Sequence, residues 1–232
     1  GTAMFAMDVK RPGLVYAAVK RTPVAGGTLR HVDDSAARAM KGVIDVVKVG
    51  SSSAAGLVGT YSAGDTIAVV ADSYWRAEKA LAALKLEWNT GGKERVSSES
   101  IFEQFDRDIT AGVDRANDVA LGDATTAFDS AATVLTADYR VPYLAHTCME
   151  PPNATAEVSA DRAEIWVGCQ NPLGFRQHLA ANLGLDIEQV TLHNYFMGGG
   201  FGRKSNADYA LQAAMIARQV GRPVQMVYSR AE

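Results

Sequence analysis

Apolar and polar positions alternate along the first ninety residues in stretches typical of short strands and helices. Strands are expected where β-branched and apolar residues form runs, at 14–21, 43–49, 66–71 and 86–88. Helices are expected where an acidic or hydroxyl residue precedes an amphipathic stretch, at 35–40 and about 73–84. The last strand, helix and strand of this region predict a βαβ-like unit, and the Ser, Ala and Gly residues of 51–59 predict a loop.

The second half of the chain shows the same two periodicities. Strands are expected at 133–141, 154–159, 163–168, 190–194 and 223–228, with a hairpin turn at Asp161-Arg162. Helices are expected at 173–183 and 206–220, which Gly184 and Gly221 end. Between the halves, polar and glycine-rich residues with a short helix near 99–109 predict a connection over 89–117.

Composition and charge narrow the classes of function. The chain of 232 residues is 47% hydrophobic and 21% charged, which is ordinary for a globular protein. A net charge of −3 gives no indication of a nucleic-acid-binding surface. No apolar run is long enough to span a bilayer, and no export signal is visible in this stretch.

The cysteines and histidines do not form a metal-binding pattern. Cys148 and Cys169 lie too far apart for a CxxC site, and neither has a histidine at zinc or iron–sulfur spacing. We therefore expect no protein metal site and two partly buried thiols, although the sequence leaves a disulfide open.

The most informative stretch is a glycine-rich loop between a strand and a helix, Met197-Gly198-Gly199-Gly200-Phe201-Gly202-Arg203-Lys204. Glycines let another group approach the backbone closely, and a following helix directs its positive dipole end at an anion. The loop matches neither GxxxxGK[ST] nor GxGxxG, so a nucleotide-binding function is disfavoured. The alternative is a structural turn in which Ser205 caps the helix and Asp208 completes a capping box.

Four segments in a fixed order carry a family resemblance. They are residues 1–9 with Pro12-Gly13, residues 145–151, Gln170-Asn171-Pro172 and residues 197–204, with 222–230 also fitting. Together they resemble the large subunit of molybdenum hydroxylases of the xanthine dehydrogenase/aldehyde oxidase type. The branch typified by isoquinoline 1-oxidoreductase beta subunits is the most similar.

The resemblance implies an α+β fold. Residues 1–88 correspond to an α/β-hammerhead domain, 89–117 to a linker with a short helix, and 118–232 to the N-terminal part of a molybdopterin-binding mixed α/β domain. The family's subunit is much longer, so the chain is expected to be a fragment that is inactive alone.

Cofactor-binding residues follow from the resemblance position by position. Gln170 matches a glutamine that hydrogen-bonds an oxygen ligand of molybdenum. Phe201 and Gly202 match a pair whose amides face the metal's ligands, and Gly198, Gly199 and Gly200 match glycines that permit this approach. Arg203 and Lys204 are expected either to pair with a cofactor phosphate or a neighbouring carboxylate, or to be solvated or form an interdomain salt bridge.

Two departures from the family pattern limit the function. Ser205 stands where the purine branch has a substrate-contacting glutamate, so Ser205 is a candidate substrate residue and purine hydroxylation is disfavoured. The family's catalytic base lies downstream, and no catalytic residue is assigned in this chain. Glu150 is tempting as a base but is expected to be a structural carboxylate bonded to nearby backbone.

The resemblance implies a bacterial molybdenum-dependent oxidoreductase that hydroxylates an aldehyde or N-heteroaromatic substrate with oxygen from water. Its cofactors would be molybdenum-molybdopterin on this subunit and iron–sulfur clusters on a small partner subunit. The implied location is the periplasm, with the cytoplasm as the alternative, and the fragment is expected to self-associate. The competing hypothesis is a non-catalytic binding or assembly domain on the same fold.

Overall fold

The computed structural model describes residues 1–50, 53–56, 59–62, 64–112 and 121–232. In those ranges the strands are β1 (Val15–Arg21), β2 (Thr28–Asp33), β3 (Val43–Val49), β4 (Ser53–Gly56), β5 (Gly59–Ser62), β6 (Thr66–Ala71), β7 (Lys85–Asn89), β8 (Asn153–Val158), β9 (Ala163–Val167), β10 (Val190–Asn194) and β11 (Val224–Val227). The α-helices are α1 (Ser35–Arg38), α2 (Tyr74–Leu81), α3 (Ser98–Ala111), α4 (Ala124–Ser130), α5 (Pro172–Leu183) and α6 (Asp208–Val220).

The chain divides into two compact units. Residues 1–94 and 146–232 form the first unit, and residues 95–145 form the second. Strands from before residue 89 and strands from after residue 117 lie in one sheet of the first unit. The domain boundaries expected from the resemblance stay a prediction, but in space these two stretches share one core.

A mixed sheet organises the first unit. Over the described residues its strand order is β10-β9-β8-β11-β1-β6-β3. The pairs β10–β9 and β1–β11 are parallel, and the other neighbours are antiparallel. Two separate antiparallel pairs, β2–β7 and β4–β5, complete the described strands.

Side-chain alternation along the central strands places helices on both faces of the sheet. Val15, Ala17 and Val19 of β1 lie in the large core cluster that includes residues of α5 and α6. Ala18, on the opposite face of β1, packs with Ala77 of α2. All six residues of β6 are buried, which fits a run of apolar and β-branched residues covered on both sides.

The helix that follows the glycine-rich loop has more buried residues than any other described helix. Nine residues of α6 are buried, among them Asp208, Tyr209 and Gln212. The Tyr209 hydroxyl donates to the carbonyl of Gly168 at 2.8 Å, so the helix is attached to the end of β9. Gly221 ends α6 in a left-handed conformation, as the sequence predicts.

Two expectations for the first unit need correction. The βαβ-like unit is wrong, because β6 lies in the large sheet whereas β7 pairs with β2, a strand that the sequence pattern did not reveal. The loop expected at 51–59 is also wrong in part, because β4 pairs with β5. Backbone pairing needs no apolar pattern, so these small residues gave no strand signal; residues 51, 52, 57 and 58 lie outside the described ranges.

The second unit consists of α3, α4 and an extended stretch. Ser97 caps α3 through its side chain, and Gly112 ends it with a left-handed φ of 65°. Within this unit the Phe102 ring stacks on Tyr143 at 6.1 Å.

The strand expected at 133–141 is wrong, because these residues pair with no strand in the described part of the chain. Their apolar and β-branched pattern indicates strand propensity, but a strand also needs a neighbour for its backbone groups. The helix α4 that precedes them was not expected either.

Candidate functional site

The glycine-rich loop leaves the edge strand β10 and leads through one 3₁₀ turn, Arg203–Ser205, into α6. Its backbone has positive φ at Gly199 (95°), Phe201 (49°) and Gly202 (89°). A left-handed backbone at a bulky residue such as Phe201 costs roughly 1–3 kcal/mol and persists only where surrounding contacts impose it. The Phe201 side chain is 71% exposed, so the loop presents an aromatic ring at its tip.

Gln170 lies beneath this loop, three residues after the end of β9. Its backbone N–H donates to the carbonyl of Lys204 at 3.0 Å, and its side-chain Oε1 accepts from the Gly202 N–H at 3.0 Å. A Cβ on Gly200 would lie 2.7 Å from that Oε1, so glycine is required for the approach. The carboxamide uses its Oε1 to accept this hydrogen bond, so its Nε2 amino group remains as a donor. No described residue accepts a hydrogen bond from Nε2.

Glu150 and Cys148 hold the loop from a second segment. Glu150 bonds Gly198 twice: its N–H donates to the Gly198 carbonyl, and its Oε2 accepts from the Gly198 N–H, each at 3.0 Å. The Cys148 thiol lies 3.4 Å from the Gly200 carbonyl. Glu150 is therefore a structural carboxylate bonded to nearby backbone, as expected.

The two cations of the loop are already paired with carboxylates. Lys204 Nζ lies 2.7 Å from Glu150 Oε2. Arg203 makes a bidentate contact with the buried Asp208, at 2.8 and 2.7 Å. Of the alternatives for Arg203 and Lys204, the structure shows the neighbouring carboxylate.

Neutral donors remain for an anionic ligand. The amides of Gly199, Gly200 and Phe201 have no acceptor among the described residues, and the Gln170 amino group adds two more N–H donors. Successive backbone amides in such turns form anion-binding concavities without a formal charge. The Gly202 amide differs from the expectation, because Gln170 already uses it. This donor set, with the space that the glycines leave, fits an anionic oxo-containing cofactor.

Ser205 is buried and uncharged, but it does not cap the helix. The α6 helix begins at Asp208 with Ala207 as N-cap and no side-chain cap bond, and Ser205 lies one 3₁₀ turn earlier. The Asp208 carboxylate bonds Arg203 instead of a cap amide. The expected capping box is therefore wrong, whereas the substrate role of Ser205 stays a prediction.

The cysteines near the loop are both free and buried. Burial raises the pKa of the Cys169 thiol to about 11, so this side chain is neutral near pH 7. Over the residues that the structure describes, no group of three or more His, Cys, Asp or Glu side chains could hold a metal ion. Within the same ranges no helix has the length and apolar character to cross a bilayer.

Comparison with known proteins shows the family to which the chain belongs and the structures that share its fold. A family model described as the molybdopterin cofactor-binding domain matches residues 106–232. The whole chain is 32% identical to a protein of Gluconacetobacter polyoxogenes named membrane-bound aldehyde dehydrogenase (pyrroloquinoline-quinone), of which it covers 29%. It is 30% identical to the isoquinoline 1-oxidoreductase subunit beta of Brevundimonas diminuta, again with 29% of that protein covered.

Among solved structures, the chain is similar to quinoline 2-oxidoreductase from Pseudomonas putida 86, with a TM-score of 0.69 and 21% identity. The match covers 97% of this chain and 32% of that one, and at this identity the likeness concerns the fold. The chain thus spans less than a third of the length of these two curated relatives and of the quinoline 2-oxidoreductase chain. The expected mixed α/β fold and the expected family are confirmed.

Proposed function

Because the chain belongs to the family of molybdopterin cofactor-binding domains, we propose that it forms part of the molybdenum-cofactor-binding subunit of an oxidoreductase. The observation that carries this proposal is the neutral donor set of the loop. Gln170 accepts the Gly202 N–H with its Oε1, and its Nε2 amino group can donate to a ligand. The loop cations Arg203 and Lys204 are paired with carboxylates. Such preorganised dipoles stabilise an anionic group without reorganising.

Each residue of the site has a distinct part in holding this group. The Gln170 Nε2 would donate to an oxygen ligand, and the amides of Gly199, Gly200 and Phe201 would face the same group. Glycine at position 198 allows the loop to lie close to Glu150, because a Cβ there would lie 2.6 Å from the Glu150 Cβ. The cofactor, when bound, would supply the two-electron oxidation of the substrate carbon.

The proposed substrate is an aldehyde or an N-heteroaromatic compound that is hydroxylated with oxygen from water. Two relatives support this class by name, one as an aldehyde dehydrogenase and one as an isoquinoline 1-oxidoreductase subunit. The buried, uncharged Ser205 supports it as well, because a hydroxyl cannot exchange a proton with a purine as a carboxyl group can. No residue of this chain is assigned as the catalytic base, which we place downstream in the longer subunit.

The name of one relative includes pyrroloquinoline quinone, which offers a second candidate cofactor. We favour molybdopterin because the matching family model is described by that cofactor and covers the segment that holds Gln170 and the loop. The two cofactors differ in metal content, so elemental and pterin analysis of the purified protein separates them.

The proposed assembly pairs the full subunit with a small iron–sulfur subunit that accepts the electrons. The name of the relative from Brevundimonas diminuta, a beta subunit, supports a multi-subunit enzyme. The bacterial periplasm is the proposed location, since large subunits of the branch that the chain resembles are often exported folded. Subcellular fractionation against periplasmic and cytoplasmic markers tests the location, and recovery with the cytoplasmic marker would contradict it.

We also propose that the isolated chain self-associates through the second unit. Large apolar side chains are exposed there, among them Leu121, Leu135 and Tyr139. Light scattering of the purified chain should show a mass that rises with concentration. A concentration-independent monomer would contradict the proposal.

The cofactor proposal is tested on the full-length protein co-expressed with its partner subunit. We expect molybdenum and pterin in equal amounts, oxidation of aldehydes or N-heteroaromatics, and ¹⁸O from labelled water in the product. Gly200→Ala should displace Gln170 and lower the cofactor content, since its Cβ would meet Gln170. Gly50→Ala is the matched control, because its Cβ would meet nothing within 4 Å.

A full-length protein that contains neither molybdenum nor pterin would overturn the proposal. If pyrroloquinoline quinone were absent as well, the chain would be better described as a non-catalytic binding or assembly domain on the same fold.

A further inference from the structure

We propose that Glu150 and Lys204 are positioning residues, whose buried ion pair sets the geometry of Gln170 and of the loop amides. The inference rests on the proposed function for its meaning, but its contacts and its test concern this chain alone. Neither residue is proposed to touch substrate.

The burial of this pair is the first step. The side chain of Lys204 is 1% exposed and that of Glu150 is 8% exposed, with Nζ and Oε2 separated by 2.7 Å. The other carboxylate oxygen, Oε1, is buried and has no partner among the described residues. Apolar side chains of similar volume often stabilise a fold as well as a buried ion pair does. The role of this pair is therefore sought in the backbone groups that Glu150 and Lys204 hold in place.

Glu150 holds Gly198 at both of its backbone groups. The Glu150 N–H donates to the Gly198 carbonyl, and the Gly198 N–H donates to the same Oε2 that accepts Lys204 Nζ. A shift of the carboxylate therefore moves the first glycine of the loop. Lys204 stabilises the charge of that oxygen, because the ammonium and the amide are its two partners.

Lys204 connects the carboxylate to Gln170. The Lys204 carbonyl accepts the Gln170 N–H at 3.0 Å, and Gln170 Oε1 accepts the Gly202 N–H at 3.0 Å. The contacts thus run from Gly198 through Glu150, Lys204 and Gln170 to Gly202. Both ends of the glycine segment are fixed by one chain of hydrogen bonds with the ion pair at its centre.

Hydrogen–deuterium exchange of the backbone amides of Gln170, Gly198 and Gly202, read by NMR on the 232-residue chain, tests the inference. Lys204→Met leaves Glu150 without its cation, so exchange at these amides should quicken about tenfold. The melting temperature should fall by roughly 10 °C, as for other broken buried pairs.

The double variant Glu150→Gln/Lys204→Met separates positioning from stability, and it also covers a Lys204→Met protein that fails to fold. It leaves no unpaired charge and keeps an acceptor for Gly198, so its melting temperature should return to within a few degrees of the parent. Exchange at Gln170 and Gly202 should stay fast, because the link from Glu150 to Lys204 is gone.

Arg176→Met is the matched control for a loss of stability elsewhere in the first unit. Arg176 donates to the carbonyls of Val190 and Ile187, away from the loop. This variant should lower the melting temperature without selective exchange at Gln170, Gly198 and Gly202.

Slow, parent-like exchange at Gln170 and Gly202 in the double variant would overturn the positioning role. Molybdenum content of the full-length variants is measured separately. A protein without molybdenum in which exchange responds as described would remove the proposed function and leave the positioning role intact.

Discussion

Each of the two compact units contains an ion pair with nearly the same N–O distance, but one pair is buried and the other is exposed. Lys204 and Glu150 in the first unit are 2.7 Å apart with side chains 1% and 8% exposed. Arg140 and Asp106 in the second unit are 2.6 Å apart with side chains 58% and 56% exposed. Since the distances are nearly equal, burial decides how strongly the fold depends on each pair. Solvent screens the exposed pair, whereas removal of one partner from the buried pair leaves an uncompensated charge and strongly destabilises the fold.

This difference shows where the molecule places its charged groups. In the first unit, acids neutralise both cations of the loop, so an incoming ligand meets amide dipoles instead of ammonium or guanidinium groups. In the second unit, the Arg140–Asp106 pair lies at the surface, and apolar side chains such as Leu135 and Tyr139 are exposed there as well. The buried charges beside the loop shape a site, whereas the Arg140–Asp106 pair remains in contact with water.

The largest effect is expected for Asp208→Ala. Asp208 is fully buried and bonds both terminal nitrogens of Arg203, so its removal leaves a guanidinium in a nearly enclosed place. We expect a loss of about 3–5 kcal/mol in the free energy of unfolding. Denaturant unfolding of the chain measures it, and a loss below about 1 kcal/mol would show that this pair behaves like a surface pair.

A smaller effect is expected from the ionisation of Cys169. Its folded pKa, raised to about 11 by burial, lies above the unfolded value, so the neutral thiol favours the folded state below about pH 9. This contribution should be lost as the pH rises from 9 through 11. Cys169→Ala removes the titration, so the stability difference between parent and variant should shrink between pH 8 and pH 10.5. A difference that does not change with pH would contradict the assignment.

The smallest effect is expected for Arg140→Ala in the second unit. Its pair with Asp106 is exposed, and its guanidinium also lies 5.6 Å from the centre of the Phe102 ring. We expect a change of about 0.2–1 kcal/mol that weakens as salt is added. A double-mutant cycle with Asp106→Ala measures the coupling, and a value near 3 kcal/mol would erase the contrast between the units.

The sequence pattern predicted elements well where at least one face of an element packs against the core. The strands at 43–49, 66–71 and 190–194 agree with β3, β6 and β10, and Gly184 and Gly221 end α5 and α6 as expected. Strong periodicity and left-handed glycine caps are local signals, so they survive without knowledge of the fold.

Pairing partners were not predictable from the same pattern. The strand β2 was missed and β7 was assigned to the wrong sheet, because strand pairing is decided by contacts between distant residues. The apolar stretch at 133–141 has the composition of a strand but no partner in the described residues.

The residues of the candidate site could be proposed from the sequence, but the hydrogen bonds and ion pairs between them could not. Gln170 and the glycines were expected from the resemblance, and the structure brings Gln170 to Gly202 and Gly200. The pairing of Lys204 with Glu150 joins residues 54 positions apart, so spacing could not reveal it. Its one sequence signal was the presence of Glu150 in a segment that resembles the family.

The measurement that tests the central claim most directly is the molybdenum and pterin content of the full-length Gln170→Glu protein. Glutamate keeps an oxygen for the Gly202 N–H but replaces the amino group with a second, negatively charged oxygen. We expect stability within about 0.5 kcal/mol of the parent and a cofactor content at least ten times lower. A Gln170→Glu protein with parental molybdenum and pterin would show that the Gln170 amino group does not hold the cofactor.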